Sequence, residues 1–133
     1  MKLTYRSEYA LLALAHLARA KPAEFISVES ISQTQKIPRK FLEQIMQALK
    51  RAHYVRSARG KQGGYCLAKP ANQISLAEII RLFDGALAPT ESVSTYFYES
   101  TPVEKEKRLV KVLKDVRDYV AKKMEATTLA DVI

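Results

Sequence analysis

Apolar residues recur at helical spacing along most of this chain, and only one short stretch departs from it. From Thr4 to Ala20, Tyr5, Tyr9, Leu12, Leu14 and Leu17 join the surrounding alanines in a broad apolar face. That pattern predicts a well-buried helix, ended by Lys21-Pro22. Ser27 suits the N-cap of a short helix through about Gln35, with Val28 and Ile31 turned inward. Pro38 fits the first position of a third helix, where its missing N–H leaves no bond unmade. This helix runs to about Ala52. Phe41, Leu42, Ile45, Met46 and Leu49 are spaced to face a core, and Arg39, Lys40, Glu43, Gln44, Gln47 and Lys50 fall on the opposite side. Two helices joined by so short a turn form a helix-turn-helix.

The next segment loses the helical period. Tyr54 to Ala58 and Gly64 to Ala68 read as two strands, and Arg59-Gly60-Lys61-Gln62-Gly63 joins them as a glycine-rich tip. A hairpin placed directly after a helix-turn-helix is a wing. Ser75 and Glu78 have capping-box spacing and open a helix carrying Ile79, Ile80, Leu82 and Phe83, which Gly85 ends. Residues 86–102 lack a period, are bounded by Pro89 and Pro102 and contain Tyr96-Phe97-Tyr98. From about Val103 to Ala126, Leu109, Leu113, Val116, Val120 and Met124 repeat every three or four residues, and Thr128 with Asp131 caps a last turn. The predicted fold is mainly α with a small β-hairpin wing. Residues 1–85 make a winged helix-turn-helix domain, 86–102 a loop that is a candidate effector or partner region, and 103–133 a dimerisation helix with a C-terminal turn.

Charge sharpens this picture. The net charge of +8 lies wholly in the first two-thirds of the chain, since residues 91–133 hold eight basic and eight acidic groups. Between residues 36 and 69, nine basic side chains face the single acid Glu43. A basic field concentrated on a helix-turn-helix and its wing points to a polyanion, and double-stranded DNA is the partner it fits. Arg39, Lys40, Glu43 and Gln44 occupy the start of the recognition helix. Arg pairs with guanine, Gln with adenine, and Glu accepts from the cytosine amino group. A plainer reading makes the same face solvated, with Glu43 paired to Lys40 or Arg39. Lys50 and Arg56 are also assigned to DNA binding, and Arg59 and Lys61 stand on a glycine-rich tip that can approach a backbone or a narrow minor groove closely.

The long helix, about 24 residues and roughly 36 Å, exceeds what so small a domain covers. Leu109, Leu113, Val116, Val120 and Met124 are therefore assigned to a homodimer seam, although packing on their own domain would use the same stripe. A two-fold dimer implies a palindromic operator. Cys66 is the only cysteine, so no internal disulfide is available. It reads as a small core residue in a strand, with a thiol-based redox role as the alternative. His53 stands where the recognition helix must end and suits a left-handed cap, and His16 reads as a core or boundary residue. No nucleophile elbow, phosphate loop or dinucleotide fingerprint is present, and no cofactor and no enzyme activity are expected. The Tyr9–Ala18 stretch is too short to span a bilayer, and Glu8 before it argues for a helix of the folded domain rather than a leader. No membrane partner and a cytoplasmic location are expected.

Taken together, Met1-Lys2-Leu3-Thr4, Tyr9-Ala10, Phe41-Leu42-Glu43-Gln44, Arg59-Gly60-x-x-Gly63-Gly64-Tyr65-x-Leu67-Ala68 and Thr127-Thr128-Leu129-Ala130-Asp131 make nearly the whole chain resemble the Rrf-two family of bacterial winged-helix regulators. The resemblance implies a dimeric transcription regulator, with Lys40, Glu43 and Gln44 at base-reading positions and Arg59 at the minor groove. Phe41 replaces a tyrosine common in the family, and His53 a glycine. Cluster-binding members carry three cysteines before the dimer helix, and residues 86–106 here contain none. The implied function is a cluster-free DNA-binding regulator, a repressor by family inference, whose signal is a small molecule, a protein partner or nothing. A winged-helix protein-interaction module and a redox sensor acting through Cys66 are the alternatives.

Overall fold

The computed structural model describes residues 1–61 and 63–133. Five helices and one hairpin follow in the expected order: α1 (Tyr5–Ala18), α2 (Val28–Gln35), α3 (Arg39–Arg51), β1 (Val55–Ala58), β2 (Gly64–Leu67), α4 (Leu76–Asp84) and α5 (Lys107–Ala126).

Capping explains most of the boundaries. Thr4 accepts a bond from Ser7 N–H, and the Asp84 carboxylate at the end of α4 accepts from Thr4 N–H and from the Thr4 and Ser7 hydroxyls. A negative charge thereby sits at the N-terminus of α1, where the helix dipole favours it. Ser27 caps α2 through Ser30 N–H, and Lys36 ends that helix at φ 55°. Pro38 lies one residue outside α3, as its N-cap rather than its first residue. His53 takes φ 65°, the left-handed conformation expected of it, and the chain turns there into β1. Ser75 and Glu78 form the expected capping box.

β1 and β2 pair antiparallel, with Val55 opposite Leu67 and Ala58 opposite Gly64. Ile26 exchanges two backbone bonds with Tyr65, both 2.8 Å, and so adds an edge bridge on the far side of β2. The bridge needs close approach. A Cβ on Gly64, whose φ is +143°, would collide with the Ile26 carbonyl.

Leu14, Ile31, Leu42, Ile45, Met46, Leu49, Ile79 and Leu129 belong to one core. Leu129 comes from the C-terminal turn, which Leu76 and Leu129 N–H groups bond back onto the winged domain at 2.9 and 3.0 Å. A second, smaller core joins Ala77, Ile80 and Leu87 to Leu3, Val120 and Met124.

Several positions differ from expectation. Tyr5 and Leu12 are exposed, because α1 turns its small residues Ser7, Ala10 and Ala13 inward and lets its neighbours approach closely. Leu82 is exposed because α4 turns Ala77, Ile79 and Ile80 inward. Phe41, expected in the core, is 55% exposed. Its neighbour Leu42 takes the inward direction, and Phe41 lies a further 100° around the helix. The long helix begins at Lys107, not Val103, since Pro102–Lys105 forms a tighter 3₁₀ turn and Glu106 breaks from helical geometry.

Candidate nucleic-acid interface

Helix α3 buries Leu42, Ile45, Met46 and Leu49 and leaves Arg39, Lys40, Glu43, Gln44, Gln47 and Lys50 exposed. Its amphipathic period thus presents one continuous polar face. Arg39 Nε donates to Glu43 Oε1 at 3.2 Å, which is the plain intrahelical pairing. This contact still leaves the second carboxylate oxygen of Glu43 as an acceptor.

The face continues into the hairpin. Lys40, Glu43, Gln44 and Gln47 line a single open cleft with Val28 of α2 and Tyr65 of β2. Gln47 Nε2 donates to the Tyr65 hydroxyl at 3.5 Å. Burial, and next the Glu43 carboxylate, push the Tyr65 phenol above its ordinary pKa. The phenol therefore stays a neutral donor and acceptor. Sequence reasoning assigned Tyr65 only to a strand and gave Gln47 no role. The structure brings both to this cleft, and the signal for Tyr65 was a polar-tipped aromatic directly after two glycines.

On the wing, Arg56, Arg59 and Lys61 are exposed. Arg56 lies over the Phe25 ring at 5.5 Å, which orders its guanidinium. Among the described residues, no carboxylate pairs with Lys40, Lys50, Arg56, Arg59 or Lys61. Lys50 lies in the last turn of α3, where a positive charge also suits the helix dipole.

Comparison with known proteins places this arrangement. The family model described as "Rrf2: Iron-dependent Transcriptional regulator" matches residues 3–133. The chain belongs to the Rrf2 family. Rv1287 of Mycobacterium tuberculosis, a candidate HTH-type transcriptional regulator, is 34% identical over 99% of this chain and 81% of its own length. CymR of Bacillus subtilis is 30% identical over 98% of this chain and 88% of its own. The solved structure of that global cysteine regulator covers 99% of this chain and 95% of its own, with a TM-score of 0.85 at 29% identity. IscR of T. potens follows with a TM-score of 0.77 at 26% identity, over 99% and 85%. This Rrf2 chain is accordingly a transcriptional regulator with a DNA-binding winged-helix fold, not an enzyme.

Iron in the family's description calls for a test of the donors. A thiolate-held cluster needs several cysteines. This Rrf2 chain has only Cys66, which is 5% exposed on β2, and the segment 86–106 contains neither cysteine nor histidine. Among the described residues no three His, Cys, Asp or Glu side chains converge as a metal site. The residues present do not fit a cluster. Cys66 lines a surface concavity with Lys21, Glu24 and Lys69, so two ammonium groups border the recess that its buried thiol adjoins.

Helix α5 divides the stripe assigned to a dimer seam. Val120 and Met124 pack onto the smaller core of their own chain. Leu113 is half-buried, and Leu109 and Val116 are exposed. The exposed apolar set also includes Val112 and Tyr119, which the sequence reading omitted. Arg81 of α4 lies over the ring of Tyr96 in the preceding loop at 5.0 Å and donates to Glu125 at 2.7 Å. The Tyr98 hydroxyl donates to Glu104 at 2.7 Å. Both contacts pin the loop to its own chain. No described helix is long and apolar enough to cross a membrane.

Proposed function

We propose that this protein is a cytoplasmic homodimer that binds a palindromic operator and represses by covering a promoter, without an iron–sulfur cluster. The cleft shared by Lys40, Glu43, Gln44, Gln47 and Tyr65 carries this reading. It joins base-reading side chains of α3 to the hairpin, within a stretch, residues 36–69, that carries nine basic groups and one acid. In the proposed complex, Lys40, Glu43 and Gln44 enter the major groove with Arg39 supporting Glu43. Arg59 and Lys61 reach the adjacent minor groove, and Lys50 and Arg56 hold phosphates. The absence of a thiolate donor set supports a cluster-free regulator. The signal then reaches the DNA-binding domain through a small molecule or protein at the 86–102 loop.

Selection of bound sequences from a random duplex pool, followed by salt titration of the winning site, tests the reading. Affinity is expected to fall steeply and linearly in log–log terms as salt rises. Arg59→Ala should weaken the selected site by about 1–3 kcal/mol, while Lys50→Ala should weaken all duplexes alike and reduce the salt slope by about one. Salt-independent failure to bind any duplex would instead support a protein-interaction module.

A further inference from the structure

Next to the base-reading cleft lies a second recess, between α1 and α3. Tyr5, Arg6 and Tyr9 wall it from one helix and Phe41, Gln44 and Ile45 from the other, enclosing about 230 Å³. Its surface is mostly apolar, and the Tyr5 and Tyr9 rings stack behind it at 5.9 Å. Phe41 stands 55% exposed at the edge, on the recognition helix one turn before Gln44. Gln44 borders both hollows, so the recess adjoins the cleft that holds Lys40 and Glu43.

A bare phenyl ring on an otherwise polar, basic face gains nothing from water and cannot bond a phosphate. One group in the major groove is apolar: the thymine C5-methyl. Positions 41 and 44 are separated by about 4.5 Å along the helix axis, close to the roughly 3.4 Å rise between base pairs. A glutamine at one base step and an apolar ring at the next therefore suit neighbouring pairs. Arg6 at the rim, itself held over the Phe83 ring at 5.4 Å, supplies positive charge beside the same opening.

We propose that the Phe41 recess is the site at which this protein reads a thymine methyl group, one per half-site, beside the base that Gln44 contacts. The proposal rests on the DNA-binding reading and adds a specificity-determining residue to it.

Uracil scanning of the selected operator tests the idea, because replacing thymine by uracil deletes the methyl and leaves every hydrogen-bonding group in place. At one thymine per half-site, the wild-type dimer should lose about four-fold in affinity, the fold-change equivalent of burying one methyl group. Replacing both symmetry-related thymines should cost about 16-fold. F41A should bind the thymine and uracil duplexes equally at that position while keeping the wild-type response elsewhere. Unchanged wild-type affinity at every uracil, or an F41A profile identical to wild type, overturns the proposal even though the protein binds DNA. Because the scan alters the DNA, its wild-type arm holds whether or not F41A folds. Failure to select any duplex overturns the DNA-binding reading itself.

Discussion

Gly64 meets the Ile26 backbone so closely that no side chain fits, and its φ of +143° lies where L-residues are strained. Gly64→Ala must break the Ile26–Tyr65 bridge or shift the wing, at a cost of order 1–3 kcal/mol. A lowered urea midpoint, together with weakened operator binding, checks this. A second residue-scale device links the turn between α3 and β1 to α4. The Tyr54 hydroxyl donates to Glu78 at 3.2 Å, and Lys69 lies over the Tyr54 ring at 4.8 Å. Burial pushes the Glu78 carboxyl up, but bonds from Ser75 and Tyr54 and the Lys69 charge outweigh it and hold the pKa below the ordinary value. A depressed carboxyl stabilises the fold above its unfolded pKa, and that contribution disappears as pH falls through the folded one. Stability should therefore drop on the acid side of the ordinary carboxylate range, and Glu78→Gln should shallow that drop. Burial first, and then Glu78, raise the Tyr54 phenol to about 12. Its stabilising effect is present below the ordinary tyrosine pKa and is lost as pH rises toward 12. A phenolate absorbance titration of wild type against Tyr54→Phe measures it.

Among the elements, α5 best separates the two roles that one apolar stripe combines. Val120 and Met124 belong to the chain's own smaller core, whereas Leu109, Val112, Val116 and Tyr119 face outward, Tyr119 at 78% exposure. Tyr119→Asp is expected to leave the thermal midpoint of the monomer unchanged and to abolish the proposed dimer, measured by sedimentation equilibrium. Val120→Ala should instead lower stability by about 1 kcal/mol and leave assembly intact. Helical periodicity could not make this division. A repeat of three and four residues names a stripe but not what covers each turn of it, and that depends on where α4 happens to end. The same limit hid the exposure of Tyr5 and Phe41. Both sit at the edge of their helix's apolar side, and α1 buries Ser7, Ala10, Ala13, Leu14 and Leu17 instead of Tyr5. Caps were more legible, because Ser27, Ser75 and Thr128 bond within three residues of themselves.

For the whole molecule, the proposed two-fold pairing through α5 would set the distance between two recognition helices. Half-site centres should then lie about ten base pairs, or a multiple of ten, apart. Inserting five base pairs between them rotates one half-site about half a turn and should reduce affinity at least about ten-fold, read by gel shift. What the chain alone decided was local and periodic: helix order, caps, the glycine tip, the basic excess between residues 36 and 69, and the lack of thiolates for a cluster. Those features act within a few residues or through summed charge, so linear spacing suffices to reveal them. Folding alone decided that Tyr65 joins Gln47 and Glu43 in one cleft, that Phe41 opens a recess against Tyr5 and Tyr9, and that Leu129 closes the core from the far end of the chain. Each brings together residues 18 to more than 30 positions apart in sequence. Such meetings follow from how helices and hairpin pack, which no periodicity encodes.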